Sequence, residues 1–295
     1  MSATRPSVAI VLLNWNGASD TIVCLRSVAA LAYGNRRVIV VDNGSTDDSV
    51  ARLREAFPDQ ALMETGANLG FGGGNNVGIR RALEQGAEYI WLLNTDTRVE
   101  PGALAAMVEL AERRPDVGAV GSVLYDMERP DRVQVWGGAE VSLWLGFFRE
   151  HRAPVAERRL HWLAAASLLY RRSAAEQVGL FDEGFFLTWE DADLGVRIRR
   201  AGWRLAVAEG SQVWHKRSAS TGGRTAAADR YFYPGAARFF KKHAPVPFLP
   251  FLAWIAAGTA RRALRGEWRR AAIVLRALRH LRTGATGGSK SRPEP

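Results

Sequence analysis

Short apolar runs recur through the first 125 residues, each followed by a stretch with helical spacing. Val8–Leu13, Val38–Val41, Tyr89–Leu93 and Val117–Val123 are near-continuous apolar segments bounded by polar residues, the pattern of strands buried on both faces. Ala61–Glu64 reads as a further, shorter strand. Between them, Ala18–Leu31 places Ile22, Leu25, Val28 and Leu31 on one helical face, and Ser49–Phe57, Asn75–Gln85 and Gly102–Arg113 read as helices. Strand and helix in alternation predict an α/β fold with a mostly parallel central sheet and helices on both faces. Residues 125–160 lose this regularity and suggest a hairpin excursion. Trp162–Tyr170 reads as one buried strand, Glu190–Ala201 as a short helix, and Trp203–Val207 and Gln212–Trp214 as two strand-like stretches.

The C-terminal segment has another character. Val246–Ala260 is apolar but short of the roughly 20 residues that span a bilayer. In Arg261–Arg282, Leu264, Trp268, Ile273, Leu275, Leu278 and Leu281 are interleaved with arginines, a basic amphipathic pattern suited to a membrane interface or to packing on the domain. The net charge is +10; residues 261–295 carry ten Arg/Lys and two Glu, or +8, which leaves +2 for residues 1–260. A neutral body with a basic tail points to an anionic surface, membrane or nucleic acid. A nucleic-acid binder should spread its basic residues over the body, so nucleic acid is not the expected partner. The single cysteine, Cys24, reads as a small buried apolar residue in a helix, and one thiol forms no internal disulfide. Met1–Pro6 runs straight into a strand without a leader pattern, so a signal peptide is not expected.

Four clusters carry possible chemistry. Asn94-Thr95-Asp96 follows the strand Tyr89–Leu93, where ligands bind open α/β sheets, and Asp96 offers hard oxygens to a divalent cation. The same tripeptide also reads as a polar turn. Asp42 closes the strand Val38–Val41, with Asn43-Gly44 as turn residues and Ser45 and Asp48 resembling a capping box; Asn14 and Asn16 lie at the end of the first strand on the same sheet edge. Asn68-Leu69-Gly70-Phe71-Gly72-Gly73-Gly74-Asn75-Asn76 is glycine-rich before a helix, but it matches neither the dinucleotide fingerprint nor a P-loop. Glu190-Asp191-Ala192-Asp193 crowds three carboxylates at a helix start, which disfavours full ionisation and makes one of them a candidate general base. His215, after Val213-Trp214, reads as a structural histidine unless Asp96 lies nearby.

In this order and spacing, these segments, together with Val178–Phe186, resemble the family 2 inverting glycosyltransferases of the GT-A fold over roughly residues 7–217. Asn68–Asn76 and Gly179–Phe186 resemble the rhamnosyltransferase branch of cell-envelope polysaccharide assembly. The resemblance implies a GT-A domain over residues 1–244, with a nucleotide-sugar half (1–125) and an acceptor half (126–244); by their own pattern residues 245–283 read as a basic helical tail and 284–295 as a disordered end. It implies that Asp42 contacts the base with Asn14 and Asn16 nearby, and that Asn68, Gly70, Asn75 and Asn76 line the donor pocket. Asn94, Thr95 and Asp96 then bind the nucleotide-sugar, Asn94 at the ribose or a metal-bound water, Asp96 and His215 hold Mg²⁺ or Mn²⁺ against the diphosphate, and Asp191 is the base with Glu190 positioning the acceptor hydroxyl.

The implied reaction moves a sugar, rhamnose from dTDP-rhamnose, to a lipid-linked or polysaccharide acceptor, with a UDP-hexose donor as the alternative. A nucleotidyltransferase would want basic residues and glycines after the first strand, and Asn14–Gly17 lacks that pattern. The implied location is cytoplasmic, peripheral on the inner face of the plasma membrane. Two departures stand out: Asn94 occupies the first acidic place of the family's DXD motif, and Gly235-Ala236-Ala237-Arg238 stands where relatives carry Arg-Asn.

Overall fold

The computed structural model describes residues 5–216 and 226–278. The expected end segment 284–295, with Leu281 and Arg282 of the basic pattern, lies outside the described residues.

The alternation read from the sequence becomes a parallel layer. Strands β1 (Val8–Asn14), β2 (Arg36–Asp42), β3 (Leu62–Glu64) and β4 (Tyr89–Asn94) run parallel in the order β3-β2-β1-β4. Helices α1 (Ala18–Ala29), α2 (Ser49–Ala56) and α3 (Gly70–Glu84) connect them. The sheet continues through β11 (Ser167–Arg171), which lies antiparallel between β4 and β6 (Val117–Asp126); β6 pairs in parallel with β12 (Arg204–His215). A three-residue strand, β5 (Thr97–Val99), closes the far edge antiparallel to β12, while helix α4 (Ala103–Arg113) leads from β5 into β6. The GT-A-type arrangement expected from the motifs is thus the one observed: a mostly parallel sheet flanked by helices, followed by C-terminal helices.

Apolar side chains on the two sheet faces form separate cores. Ile10, Leu12, Trp91 and Leu93 face α1 and α4, while Val11, Ile90, Leu92 and Tyr170 face α3 and the 160–198 region. A third cluster, built from Phe185, Trp189, Phe239, Phe240, Phe251 and Val274, joins helices α6 (Glu190–Arg200), α7 (Ala226–His243), α8 (Phe248–Ala263) and α9 (Trp268–Arg276). Helices α8 and α9 therefore pack on the domain, and buried Asp229 of α7 holds Arg262 and Arg270. No helix among the described residues is long and apolar enough to cross a membrane.

Several boundaries differ from expectation. The run Trp162–Tyr170 is two strands, β10 (Trp162–Leu163) and β11, because the chain leaves one sheet for another at Ala164–Ala166. The two stretches at 203–214 form one strand, β12, with an irregularity between Ala208 and Gln212. Helix α3 starts at Gly70, not Asn75, so Gly72, Gly73 and Gly74 lie inside a helix. Glycine here lets neighbours come close: a Cβ at Gly74 would meet Leu13 Cδ1 at 2.6 Å, and one at Gly70 (φ +78°) would meet the Phe186 carbonyl oxygen at 2.4 Å. The irregular 125–160 region holds β7 (Val133–Trp136) on the edge of β6, then the hairpin β8 (Gly138–Val141) and β9 (Phe148–Glu150), which forms a small sheet with β10. A 3₁₀ turn, Glu157–Arg159, precedes β10, and a short helix α5 (Arg172–Val178) follows β11.

Candidate active site

Three parallel strands end together. Asn14 pairs in register with Asp42, and Asn94 with Leu13, so the polar ends of β1, β2 and β4 share one sheet edge. Asp42 is buried there. Its Oδ1 accepts from Asn14 Nδ2 (2.7 Å) and from Ser45 Oγ (2.6 Å), and its Oδ2 accepts from the Ser45 amide (2.9 Å). Asn14 is held in turn by Thr21, whose hydroxyl donates to Asn14 Oδ1 at 2.8 Å. Asn16, exposed and in the left-handed region (φ 50°), accepts from the Thr46 amide at 2.8 Å. Ser45 was read as a helix cap; its hydroxyl instead orients Asp42 and accepts from the Asn16 amide, and Asp47 accepts from the first helical amide, that of Ser49.

The glycine-rich segment contributes differently from what its composition suggests. Asn68 Oδ1 accepts from Asn43 Nδ2 (3.0 Å) and the Gly70 amide (2.8 Å), fixing the loop beside Asp42. Asn75 and Asn76 are buried in α3. Asn75 donates to the Phe71 carbonyl, and the Asn76 amide group is spent on Phe181 and Glu183. The Asn76 amide thus ties α3 to the 181–183 segment, while Asn75 bonds within α3 itself, because a buried amide must satisfy its donors locally.

The turn Asn94-Thr95-Asp96 lies between β4 and β5. The β5–β12 register sets His215 opposite Thr97, which brings His215 Nε2 within 3.3 Å of Asp96 Oδ1 and 3.5 Å of Asn94 Nδ2. A residue that sequence reading missed fixes this histidine. Gln134 Nε2 donates to the His215 carbonyl (3.2 Å), so Gln134 Oε1 (2.8 Å away) must accept from His215 Nδ1–H. Nε2 then points at the Asp96 carboxylate. A lone pair facing a carboxylate at this distance calls for a positive charge between them, a proton or a metal ion. Burial alone would raise the Asp96 pKa, but the hydrogen bond and charge of His215 hold it below the usual carboxylate value. No group of three or more His, Cys, Asp or Glu side chains suited to a metal occurs among the described residues. A cation would therefore take Asp96 and His215 from the protein and its remaining ligands from diphosphate and water. Cys24 packs beneath the turn, near Asn94 O and Thr97, and burial pushes its thiol up to about 12.

The carboxylate pair at the start of α6 completes the site. Thr188 and Trp189 precede it with φ of 70° and 74°, a left-handed step that non-glycine residues adopt at a cost of about 1–3 kcal/mol each. Such strain concentrates at functional sites. Glu190 is buried and its Oε2 has no hydrogen-bond partner; burial, then the charge of Asp191, raises its pKa well above the ordinary carboxylate value. Asp191 keeps part of its surface open, yet its surroundings raise it from 3.8 to about 7, desolvation being the main cause. Its carboxylate accepts backbone hydrogen bonds from Ala192 (2.8 Å) and Ala165. The next residue, Ala166, accepts from the Asn94 amide at 3.0 Å. Ala164–Ala166 is thus a backbone bridge from Asp191 to the Asn94–Asp96 turn, and it exists because β10 and β11 are separate strands.

Asp193, the third carboxylate, faces away into a buried network. It accepts from His243 (2.7 Å) and Arg197 (2.7 Å) and pairs with Lys242 (2.7 Å), anchoring α6 to α7. Arg238 has a similar structural place. It makes a bidentate pair with Asp182 and lies over Phe185, 5.3 Å from the ring centre.

Residues 6–231 match the family model described as glycosyltransferase like family 2. The chain is 33% identical over 223 residues to the N-acetylglucosaminyl-diphospho-decaprenol L-rhamnosyltransferase of Mycobacterium tuberculosis, covering 67% of this chain and 73% of that one. Its fold is similar to that of a mannosyltransferase from Pyrobaculum calidifontis solved with GDP-mannose and Mn²⁺ (TM-score 0.62, 20% identity, 96% of this chain and 89% of that one). It is also similar to GalNAc-T7 solved with UDP, GalNAc and Mn²⁺ (TM-score 0.62, 15% identity, 72% and 44%).

Proposed function

This chain belongs to glycosyltransferase family 2, and from that premise we propose that it is an inverting rhamnosyltransferase acting with dTDP-rhamnose on a lipid-linked acceptor. The observation that carries the chemistry is the Ala164–Ala166 bridge, which ties the raised Asp191 carboxylate to the Asn94-Thr95-Asp96 turn. Sugar and acceptor rest on the mycobacterial rhamnosyltransferase, whose name specifies L-rhamnosyl transfer to a decaprenol-linked sugar.

Donor binding is assigned to the strand-end edge. Asp42, oriented by Asn14 and Ser45, accepts from a ring imide of the base, and Asn16, Asn68 and Gly70 border that position. Asn94 and Thr95 face the ribose and diphosphate. Asp96 and His215 would hold Mg²⁺ or Mn²⁺. Such a cation would supply charge stabilisation to the departing nucleoside diphosphate, worth several kcal/mol.

On the opposite side Asp191 takes the proton of the acceptor hydroxyl. The hydroxyl oxygen then bonds to the anomeric carbon as the bond from that carbon to the diphosphate oxygen breaks, so the configuration inverts. A carboxylate whose pKa lies near neutrality is a stronger base than an ordinary one and is still partly ionised at physiological pH. Glu190, buried and neutral when protonated, can donate a hydrogen bond from its otherwise unpartnered oxygen to the acceptor. We assign the glycosyltransferase unit to residues 1–244, with residues 1–125 as the nucleotide-sugar half and 126–244 as the acceptor half. We place the protein on the cytoplasmic face of the plasma membrane, attached through the basic segment that begins at Arg261.

A panel of nucleotide sugars tests the donor. Release of free nucleoside diphosphate from dTDP-rhamnose, dependent on Mg²⁺ or Mn²⁺, is the expected result. Release only from UDP-galactose or UDP-glucose would replace rhamnosyl by hexosyl transfer.

A further inference from the structure

The turn between β8 and β9 is tightly ordered yet presents its largest apolar side chains outward. The Leu145 amide donates to Ser142 Oγ (3.0 Å), the Gly146 amide to the Ser142 carbonyl (2.9 Å), and the Ser142 amide to the Phe147 carbonyl (2.8 Å). Trp144, Leu145 and Phe147 are nevertheless 61%, 68% and 53% exposed. This tip sits on α8: a Cβ at Gly146 would meet Pro250 O and Trp254 Cδ1, both at 2.7 Å. The outer face of α8 continues the apolar surface with Phe248, Leu249 and Leu252, all exposed, followed by the exposed Ala253, Ala256 and Ala257.

From Phe248 to Ala260 the helix has no charged side chain. A helix apolar all round is normally buried in a core or in lipid; here Phe251 and Ile255 are buried and the opposite face is covered by no described residue. Large exposed apolar patches on a folded surface mark interaction sites. The charge beside the patch selects the partner. At the C-terminal end of α8 the surface changes to exposed Arg261, Arg265 and Arg269, with Leu264 and Trp268 exposed among them. Apolar side chains backed by arginines match acyl chains below an anionic headgroup layer. At 16 residues, about 24 Å, α8 is too short to cross the bilayer, so it would lie in the interface plane.

We propose that the Trp144–Phe147 tip and the outer face of α8 form a membrane-docking surface that inserts into an anionic lipid interface. It rests on the membrane-facing part of the reading above and extends the attachment from the arginines to the apolar face of α8 and the β8–β9 tip. It also has a structural connection to the site: Phe148 stacks on Trp254 (5.5 Å between ring centres), and Trp254 packs on Trp189 (5.6 Å), the residue before Glu190. Docking there would put the acceptor side of the enzyme one aromatic layer from the lipid.

Vesicle co-sedimentation of the full chain, without donor or acceptor, tests the surface whatever sugar is moved. Wild type should bind phosphatidylglycerol-containing vesicles and bind phosphatidylcholine vesicles weakly. Trp144→Ser/Leu145→Ser and Leu249→Ser/Leu252→Ser should each weaken binding by about tenfold or more, since each removes two large apolar side chains from lipid. The tip variant alters only exposed side chains and should melt like wild type. The idea is overturned if both serine variants bind like wild type while Arg265→Glu/Arg269→Glu does not, because attachment then belongs to the basic segment alone. It is equally overturned if sedimentation reveals a dimer that the serine variants dissociate, because a second copy then covers the patch.

Discussion

Asp191 is a poor place for a negative charge and a good place for a base, and both properties have the same cause. Desolvation raises its pKa to about 7, so the folded state prefers the protonated form. A raised carboxylate costs stability above its unfolded value, and the cost grows as pH climbs from about 4 to about 7. Turnover should therefore rise with pH through about 7, and a pH–rate profile that is flat from 5 to 8 would contradict the assignment. The same group should make Asp191→Asn more resistant to heat than wild type at pH 8 and no more resistant at pH 4, which paired thermal melts would reveal. Gln134 acts at one remove from the chemistry. Its replacement by leucine frees the His215 ring and should weaken Mn²⁺ binding by about 10–100-fold, as loss of partners behind metal ligands does. Titration calorimetry with Mn²⁺ and nucleoside diphosphate measures this; unchanged affinity would show that the Nδ1 contact does not set the ring. The strand-end position of Asp42, and of the turn that carries Asp96, was readable from sequence because a polar residue that closes an apolar run breaks a pattern. Gln134 breaks none: it lies on a four-residue strand, and its role comes from a side-chain contact with His215, 81 positions away.

At the scale of elements, the site depends on how α6 and α3 are seated. Asp193 anchors α6. Burial alone would raise its pKa, but hydrogen bonds from His243, Lys242 and Arg197 hold it well below the ordinary carboxylate range. The stability it contributes is thus present above its unfolded pKa of about 4 and is lost as pH falls below that value. Asp193→Ala leaves His243 and Lys242 without their buried partner and should cost about 3–5 kcal/mol in urea unfolding. A loss below about 1 kcal/mol would mean that the network is solvent-compensated. The helix α3 shows where sequence reading failed and why. In the sequence its glycines read as a loop that approaches a ligand, since glycine between asparagines usually marks irregular backbone. In the fold they let a helix come within contact of Leu13, Asn43 and the Phe186 carbonyl, and only the tertiary neighbours distinguish those uses. The break at Ala164–Ala166 was hidden for a related reason: three alanines continue an apolar run without interrupting it, although the chain changes sheets there.

For the molecule as a whole, the proposed donor-side and acceptor-side groups come from segments far apart in the chain and are brought together by the sheet. The parallel order β3-β2-β1-β4 supplies Asp42 and Asp96, β12 returns with His215, and α6 presents Glu190 and Asp191 across the alanine bridge. The overall architecture was legible because strand and helix alternate in the sequence; the C-terminal helices were legible only as amphipathic, since nothing local tells a helix that packs on α7 from one that lies on lipid. The central claim is that Asp191 acts on the acceptor after donor has bound elsewhere. Its most direct test compares Asp191→Asn with wild type in two assays on the same protein. Transfer from dTDP-rhamnose should fall by about 10²–10⁴-fold, the usual contribution of a general base, while calorimetric affinity for the nucleoside diphosphate with Mn²⁺ stays within about twofold. Equal loss of donor affinity and transfer, or transfer at the wild-type rate, would contradict the account.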